Sequence, residues 1–385
     1  MSRPAPRLVS SRMRGFLKPF LEGLSGGASR LVGELFVGML ASGSSLLSRV
    51  GRCIADGTTL PHREKRFSRG LDHGGWWQDA LRYRVLESAA RAVGKHDLIA
   101  VDISDLSKPY ARKMEYLDTV YDGSRKTVGA GYWLYEAWHI DGSGQPLPLQ
   151  LVVFSTKDPL FVSENEEWFC GLWDLVTTLG GKGILLIDRG ADRWKLMKEL
   201  LALPQWWIIR QRGDRHLVGP GGVRRSALEW ARERLGEGGA PQAIRVRLPG
   251  SPTPLWLVVA PAASRGESPF MLLCRVPWKR EIARRGLEAY RRRWRCEDAM
   301  RALKQGVALE TFLVRSMRRI DRLILVALLV MRFAAERLLR KGPETRRLLA
   351  RDERFPRKIK VYLSPVLAAI RRHLAPSGKL AWAPT

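Results

Sequence analysis

The segment Asp97-Leu-Ile-Ala-Val-Asp-Ile103 is a short apolar run that reaches a carboxylate at Asp102. A second run of the same kind, Ile184-Leu-Leu-Ile-Asp188, also closes on an aspartate. Short apolar runs of this kind are typical of buried β-strands. A carboxylate at the end of such a strand lies at the rim of the sheet, beside the crevice in which α/β sheets bind ligands. The two runs therefore predict an α/β fold with Asp102 and Asp188 at one edge, although a single aspartate there could be only a turn former.

The segments around these runs extend the prediction of an α/β sheet with helices on its faces. Residues 131–140 and 147–154 predict a β-hairpin, with a turn at Asp141-Gly-Ser-Gly. A helix at 162–179, a helix at 193–203 and a strand at 205–212 follow. Frequent glycine and proline then accompany three β-like runs, at 243–248, 254–260 and 269–275. Two long helical patterns, at 281–304 and 320–339, come after them.

The charge of the chain indicates its partner. Its 66 Lys and Arg residues against 38 Asp and Glu residues leave a net charge of +28, and the isoelectric point is near 10.8. Such self-repulsion is most easily relieved by a polyanion, and the basic residues are spread along the whole chain. Nucleic acid is the leading partner, while an anionic membrane surface remains the competitor.

Several other classes of protein are disfavoured. The four cysteines, Cys53, Cys170, Cys274 and Cys296, have no metal-ligand spacing and are expected to be free thiols in a reducing compartment. The six histidines show no HxxxH or HxH spacing, so no histidine metal site is expected. The apolar stretches at 31–50 and 320–333 are interrupted or too short to span a bilayer. We expect a soluble, cytoplasmic, nucleoid-associated protein with no membrane partner.

These patterns divide the chain into five parts. A helical N-terminal region (1–95), a plausible DNA-binding region, precedes the first part of an α/β core (96–212), a β-rich insertion (213–278), the second part of the core (279–340) and a basic C-terminal region (341–385). Within the N-terminal region, residues 60–70 form a basic, turn-rich stretch. It is either a DNA-contacting module or a solvated loop.

The helical segment Tyr290-Arg-Arg-Arg-Trp-Arg-Cys-Glu-Asp-Ala-Met-Arg-Ala-Leu-Lys304 combines cations with one carboxylate. At about 100° per residue, Tyr290, Arg293, Glu297 and Lys304 share a stripe about 60° wide. Glu297 can complete a metal site on that stripe, while Arg293 and Lys304 hold flanking phosphates. A salt-bridged, solvated basic helix is the alternative. Beside the stripe lie Arg301 and Trp294, which could stack on a displaced base.

Asp102, Asp188 and Glu297 are thus the candidate ligands of hard divalent cations, which prefer oxygen ligands converging from different elements. Asp105 could replace Asp102, but three residues along a strand reverse the face, which favours Asp102. Asp298 lies about 100° around the helix from Glu297. Asp192 is expected to be an early-helix residue.

The spacing Tyr-x2-Arg-x3-Glu-x6-Lys, realised as Tyr290, Arg293, Glu297 and Lys304, resembles the YREK signature of the insertion-sequence-four family of bacterial DDE transposases. The stretch Asp188-Arg-Gly-Ala-Asp192 is similar to the family's Asp-Arg-x-x-Asp segment, and Asp102-Ile-Ser to its Asp-x-Thr/Ser segment. The order of these segments also agrees, and the resemblance extends over about residues 63–339.

The resemblance implies an RNase H-like catalytic core with a β-rich insertion between Asp188 and Glu297. It implies two Mg²⁺ or Mn²⁺ ions per active site, held by those carboxylates and Asp102. DNA would be bound by six residues: Arg189, Tyr290, Arg293, Trp294, Arg301 and Lys304. The implied activity is cut-and-paste transposition by a homodimer in a synaptic complex with transposon ends and target DNA. Where some members carry an aromatic that assists a base flip, this chain has only Phe270, so a hairpin route is not implied.

Two other functions remain open from the sequence. A non-catalytic or decayed relative could still occupy the ends of its element. A nuclease of the same fold would share every metal ligand and would cut DNA without joining it.

Overall fold

The computed structural model describes residues 5–73, 75, 77–123, 125–236, 239–262, 264, 267–339, 363–374, 380 and 382. The helices are α1 (Ala5–Leu21), α2 (Gly26–Ser42), α3 (Leu47–Arg52), α4 (Leu60–Asp72), α5 (Trp77–Ala90), α6 (Glu164–Leu179), α7 (Trp194–Ala202), α8 (Ala227–Leu235), α9 (Ile282–Arg291), α10 (Trp294–Gly306), α11 (Met317–Phe333) and α12 (Leu363–Leu374). The strands are β1 (Leu98–Ser107), β2 (Asp118–Asp122), β3 (Thr127–Ile140), β4 (Pro146–Phe154), β5 (Ile184–Ile187), β6 (Trp206–Arg210), β7 (His216–Val218), β8 (Arg224–Ser226), β9 (Gln242–Val246), β10 (Leu255–Ala260) and β11 (Phe270–Arg275). A π-helical turn, Ala334–Leu339, continues α11.

A mixed sheet forms the centre of the molecule, so the predicted α/β class is confirmed. Its order is β2-β3-β1-β5-β6-β11-β10-β9, and β4 pairs with β3 beside β2. The strands β1, β5 and β6 are mutually parallel, whereas β3 runs antiparallel to β1. The parallel strands are short and apolar because both faces of the sheet are covered by helices.

The predicted insertion at 213–278 does not form a separate sheet. Strands β9, β10 and β11 continue the central sheet through the antiparallel pairing of β11 with β6. Only β7 and β8 pair apart, as a two-stranded sheet leading into α8. The β-like runs at 243–248, 254–260 and 269–275 correspond to these three strands, but the pairing of β11 with β6 depends on hydrogen bonds between distant segments.

The two faces of the sheet pack on different helices. Leu98, Ala100 and Leu106 of β1 belong to a core with α2, α10 and α11. Ile99 and Val101, which point the other way, belong to a core with α6 and α7. Side chains alternate between faces along a strand, so even-numbered residues of β1 face α10.

Residues 60–70, expected to be turn-rich, form helix α4 instead. Pro61 occupies the first turn, where the missing amide proton costs no hydrogen bond. Arg63, Phe67 and Leu71 recur at a spacing of four and are buried on one face. Arg63 donates to Asp56 Oδ1 over 2.5 Å, with both side chains 3% exposed. The guanidinium of Arg63 is therefore paired inside the protein, whereas in a solvated loop it would contact water.

The single helix expected at 281–304 is two helices, α9 and α10, separated by Arg292 and Arg293. At this junction the amides of Arg293 and Cys296 bond to the carbonyls of Tyr290 and Arg293, three residues back. Such bonds tighten the turn relative to an α-helix and offset the two axes. The periodicity of side chains continues across the junction and therefore did not reveal the break.

The C-terminal region was expected to be weakly patterned, and most of it lies outside the described residues. Its described helix, α12, buries Leu363, Val366, Leu367 and Ile370 against the core that also holds α10. In the described part of the chain, no helix is long and apolar enough to cross a bilayer.

Candidate active site

Asp102 and Asp188 are brought together by the parallel pairing of β1 and β5. The last residues paired in that ladder are Val101 and Ile187, so each aspartate is the next residue beyond a paired position. Both are on the α10 side of the sheet, because Ala100 and Leu186 pack in that core. Asp102 lies within β1, which continues to Ser107, and not at its end as expected.

Glu297 reaches this rim from the first turn of α10. Arg293, one turn earlier, donates through Nη1 to Asp102 Oδ2 over 3.0 Å and through Nη2 to Glu297 Oε1 over 2.8 Å. Its side chain is only 6% exposed. Arg293 therefore joins two of the three expected carboxylates, Asp102 and Glu297, where the sequence predicted a phosphate contact.

Tyr290 links α9 to the same cluster. Its hydroxyl donates to Asp188 Oδ1 over 2.8 Å, and its ring packs edge-on against Phe270 at the start of β11. Burial raises the pKa of Tyr290 above its ordinary value, as does the neighbouring Asp188. Tyr290 therefore remains a neutral hydrogen-bond donor that fixes one oxygen of Asp188.

The pKa values of the two aspartates move in opposite directions. Burial raises the pKa of Asp102 to about 6, with further contributions from Asp188 and Glu297 that outweigh the attraction of Arg293. Burial also acts on Asp188, but Arg293 and the hydrogen bond from Tyr290 outweigh it and lower the pKa. Separated pKa values are the expected result of several carboxylates sharing a small space. Added positive charge would lower the pKa of Asp102 again.

Lys304, near the C-terminal end of α10, forms ion pairs with two acids outside the cluster around Arg293. Its Nζ lies 3.0 Å from Asp105 Oδ2 and 3.2 Å from Glu310 Oε1. Glu310 in turn accepts a hydrogen bond from the Ser107 amide at the end of β1. Lys304 thus ties α10 and the turn after it to β1, and Asp105 serves as its partner, apart from the cluster around Arg293.

A buried acid that the sequence analysis did not single out lies beside Asp102. Glu136 is directly opposite Asp102 in the antiparallel pairing of β1 and β3. Its two oxygens accept hydrogen bonds from Ser104 Oγ and Trp138 Nε1, each over 2.6 Å. Burial raises its pKa to about 8, followed by the charge of Asp102. Cross-strand pairing, which single-strand patterns do not specify, would have been needed to find it.

Arg210 is a second residue that was not anticipated. It follows Ile209, whose partner in the parallel ladder is Ile187, so Asp102, Asp188 and Arg210 stand in a row, each one residue beyond the last position paired in the parallel ladders of three adjacent strands. The sequence does contain a pattern that could have revealed Arg210, because this residue follows an apolar run just as Asp188 does. Its guanidinium lies 4.9 Å from the centre of the Phe270 ring.

The other residues predicted to bind DNA differ in accessibility. Trp294 is 63% exposed at the start of α10, Arg301 is exposed beside Asp298, and Arg189 is exposed just after Asp188. Among the predicted non-ligands, Asp192 is buried against Arg215. Tyr290, Arg293 and Lys304 instead contact the carboxylates, so the six predicted residues form an exposed group and a buried group.

The donor set fits a hard divalent cation. Asp102, Asp188 and Glu297 supply carboxylate oxygens from β1, the residue after β5 and α10, and the pKa of Asp102 is raised first by burial and then by the charges of the other two acids. Among the described residues no group of three acids, histidines or cysteines is drawn together tightly enough to hold an ion. The guanidinium of Arg293 lies between two of the acids, where it supplies positive charge.

Residues 169–333 match the family model described as transposase DDE domain. This match, which includes Asp188 and Glu297, supports a DDE transposase and implies a DNA-cleaving enzyme. Among solved structures, the chain is similar to the one titled "Cryo-EM structure of piggyBac transposase synaptic complex with hairpin DNA (SNHP)", with 11% identity and a TM-score of 0.48. That similarity covers 97% of this chain and 78% of the other. A comparison with curated proteins gave no match.

Proposed function

We propose that the chain is a DDE transposase of the insertion-sequence-four family that binds the ends of an insertion sequence, cuts the DNA and joins it to a target. The observation that carries the proposal is the position of Asp102 and Asp188 on adjacent strands at one rim of the sheet, with Arg293 joining Asp102 to Glu297. The YREK spacing from Tyr290 to Lys304 supports the choice of family. The order of β4, β3, β1, β5 and β6 supports an RNase H-like core.

Asp102, Asp188 and Glu297 would hold Mg²⁺ or Mn²⁺, two ions per site. When bound, the ions would supply activation of a water or a DNA 3′-hydroxyl and stabilisation of the leaving oxygen. Tyr290 orients Asp188 by its hydrogen bond, and Arg293 holds Asp102 and Glu297 in a common orientation. Arg301, Arg189 and Arg210 would hold the phosphates of the DNA ends, and Trp294 would stack on a displaced base.

The N-terminal region offers a second surface for DNA. A groove of about 610 Å³ between α2 and α4 is lined by His62, Lys65, Arg69 and His73 and by the start of α2. Two acids of this region, Glu34 and Asp56, are buried in ion pairs with Arg66, which also lines the groove. The exposed cations are therefore not neutralised by them, which suits the phosphate backbone. Two such chains in a synaptic complex would bind two ends.

The test is cleavage and joining of DNA that carries the element's own ends, in Mg²⁺, by wild type, Glu297→Ala and Asp298→Asn. We expect cutting and joining by wild type and by Asp298→Asn, whose carboxylate faces Arg295 and Arg301. Glu297→Ala should bind the ends and do neither. Cutting without joining by wild type would identify a nuclease. Binding without cutting in Mg²⁺ or Mn²⁺ would identify a non-catalytic DNA-binding protein.

Metal binding gives a readout that does not depend on finding the correct DNA. Calorimetric titration with Mn²⁺ should give saturable binding to wild type and to Asp298→Asn. Asp188→Asn and Glu297→Ala should each weaken that binding at least tenfold, because each removes a negatively charged ligand. Equal Mn²⁺ binding by all four proteins would contradict the proposed ligand set.

A further inference from the structure

The hairpin formed by β2 and β3 extends the face of the sheet that carries Asp102. Side chains alternate along β3, and the β1–β3 ladder is regular from Ile140 to Gly131. Glu136, opposite Asp102, therefore shares its face with Val128, eight residues earlier on the same strand. Val128 is paired with Tyr121 of β2, so both lie on the Asp102 face.

The side chains of the hairpin are exposed to solvent on that face and buried on the other face. Tyr121 and Val128 are 53% and 68% exposed, while Val120, Asp118 and Asp122 are buried on the opposite side. An aromatic and an aliphatic side chain thus stand uncovered on a strand pair that continues the catalytic face. We call Thr119, Tyr121 and Val128, together with Arg125 and Lys126 in the turn, the hairpin shelf.

The charge of the shelf is positive. Arg125 and Lys126 are exposed at the turn. Asp118 points away from the shelf and accepts from the amides of Thr119 and Thr156, whereas Asp122 forms an ion pair with the exposed Arg125 of the shelf. Lys126 has no ion-pair partner within the described residues. Cations beside an exposed tyrosine suit the sugar–phosphate backbone of DNA better than an apolar or a basic protein surface.

The distance between the carboxylate cluster and the hairpin shelf determines which part of a bound duplex the shelf would contact. Eight residues of β-strand extend roughly 26 Å at about 3.3 Å per residue. This equals about eight base pairs of duplex at 3.4 Å per base pair. We propose that the hairpin shelf binds the backbone of one duplex arm about eight base pairs from the phosphate that is cut. The inference rests on the proposed function for the place of the cut, and the shelf lies outside the matched residues 169–333.

The test measures binding of duplexes in which each arm around the cut site is trimmed in steps from about 16 to about 4 base pairs. The proteins are wild type, Arg125→Ala/Lys126→Ala, Tyr121→Ser and a control, Lys195→Ala/Lys198→Ala. The control removes the same charge from the exposed side of α7, on the opposite face of the sheet. Anisotropy in the absence of divalent metal gives affinities, and a salt series gives the number of phosphate contacts.

We expect the double alanine variant to lose affinity roughly ten- to thirtyfold on long arms and to lower the salt slope by about two. Tyr121→Ser should lose affinity several-fold on the same duplexes. Both losses should disappear when one particular arm falls below about eight base pairs, and the control should lose no affinity at any length. Losses that are independent of arm length, or equal to those of the control, would overturn the proposal.

Failure of the shelf can be distinguished from failure of the proposed function. If wild type cuts and joins DNA but the shelf variants bind every duplex as wild type does, only the shelf assignment fails. If the shelf variants show the arm-length dependence while no protein cuts DNA or binds Mn²⁺, the surface stands as a DNA-binding site and the transposase proposal fails.

Discussion

The Nη1 atom of Arg293 lies 3.0 Å from Oδ2 of Asp102, and the same guanidinium also holds Glu297. Arg293, which the sequence predicted to bind a DNA phosphate, therefore supplies positive charge to two carboxylates inside the candidate active site. The carboxylates repel one another and are drawn from three separate elements, so the arginine both neutralises and aligns them. This arrangement leads to the first prediction.

Replacing Arg293 by alanine should destabilise the metal-free protein by about 3 kcal/mol, because it leaves Asp102 and Glu297 without their buried partner. Added Mn²⁺ should then raise the melting temperature of Arg293→Ala more than that of wild type, since the ion restores the missing positive charge. Arg291→Ala, which removes an exposed arginine two residues away, is the control. A Mn²⁺-induced shift no larger than that of wild type would contradict the counter-charge role.

Tyr290→Phe removes the hydrogen bond to Asp188 and keeps the ring against Phe270. The pKa of Asp188 should rise, because one of the groups that lower it is lost. We expect Mn²⁺ affinity near pH 4 to fall by up to about tenfold, the limit set by about 1.4 kcal/mol for a hydrogen bond to a charged group. The loss should be smaller at pH 8, where Asp188 is ionised in both proteins. A loss that is the same at both pH values would point to a steric effect.

Lys304 and Asp105 should be coupled energetically. Their 3.0 Å contact is largely shielded from water, with the side chains 21% and 14% exposed. A double-mutant cycle with Lys304→Met and Asp105→Asn, measured by chemical denaturation, should give a coupling of about 1–2 kcal/mol. If Lys304 instead held a DNA phosphate, Lys304→Met would weaken end binding and lower its salt slope while the coupling stayed near zero.

The buried Glu136 should make stability depend on pH. Its pKa in the folded protein, about 8, is above the ordinary glutamate value of about 4.5, so the folded state holds its proton more tightly than the unfolded state. Its contribution to stability is complete below pH 4.5 and is lost as pH rises towards 8. In Glu136→Gln the free energy of unfolding should fall less over this range than in wild type. Parallel pH profiles for the two proteins would show that Glu136 is ionised throughout.

The sequence by itself determined the elements that lie along single segments. The apolar runs before Asp102 and Asp188 predicted β1 and β5, and the helical pattern at 162–179 predicted α6. These features depend on neighbouring residues, whose side-chain period and backbone preferences act locally. The spacing from Tyr290 to Lys304 likewise placed four side chains on the side of α9 and α10 that meets the sheet.

The tertiary structure decided which side chains from distant segments come together at the site. The continuation of the sheet through β11, the position of Glu136 opposite Asp102, and the row that ends in Arg210 all follow from pairing between distant strands. The contacts of Arg293 and Lys304 with carboxylates depend on how closely α10 packs on β1. A cation on a helix face can bind a phosphate or an internal acid with similar local chemistry. Only the folded arrangement, which buries these cations beside acids and leaves Trp294 and Arg301 exposed, selects between those partners.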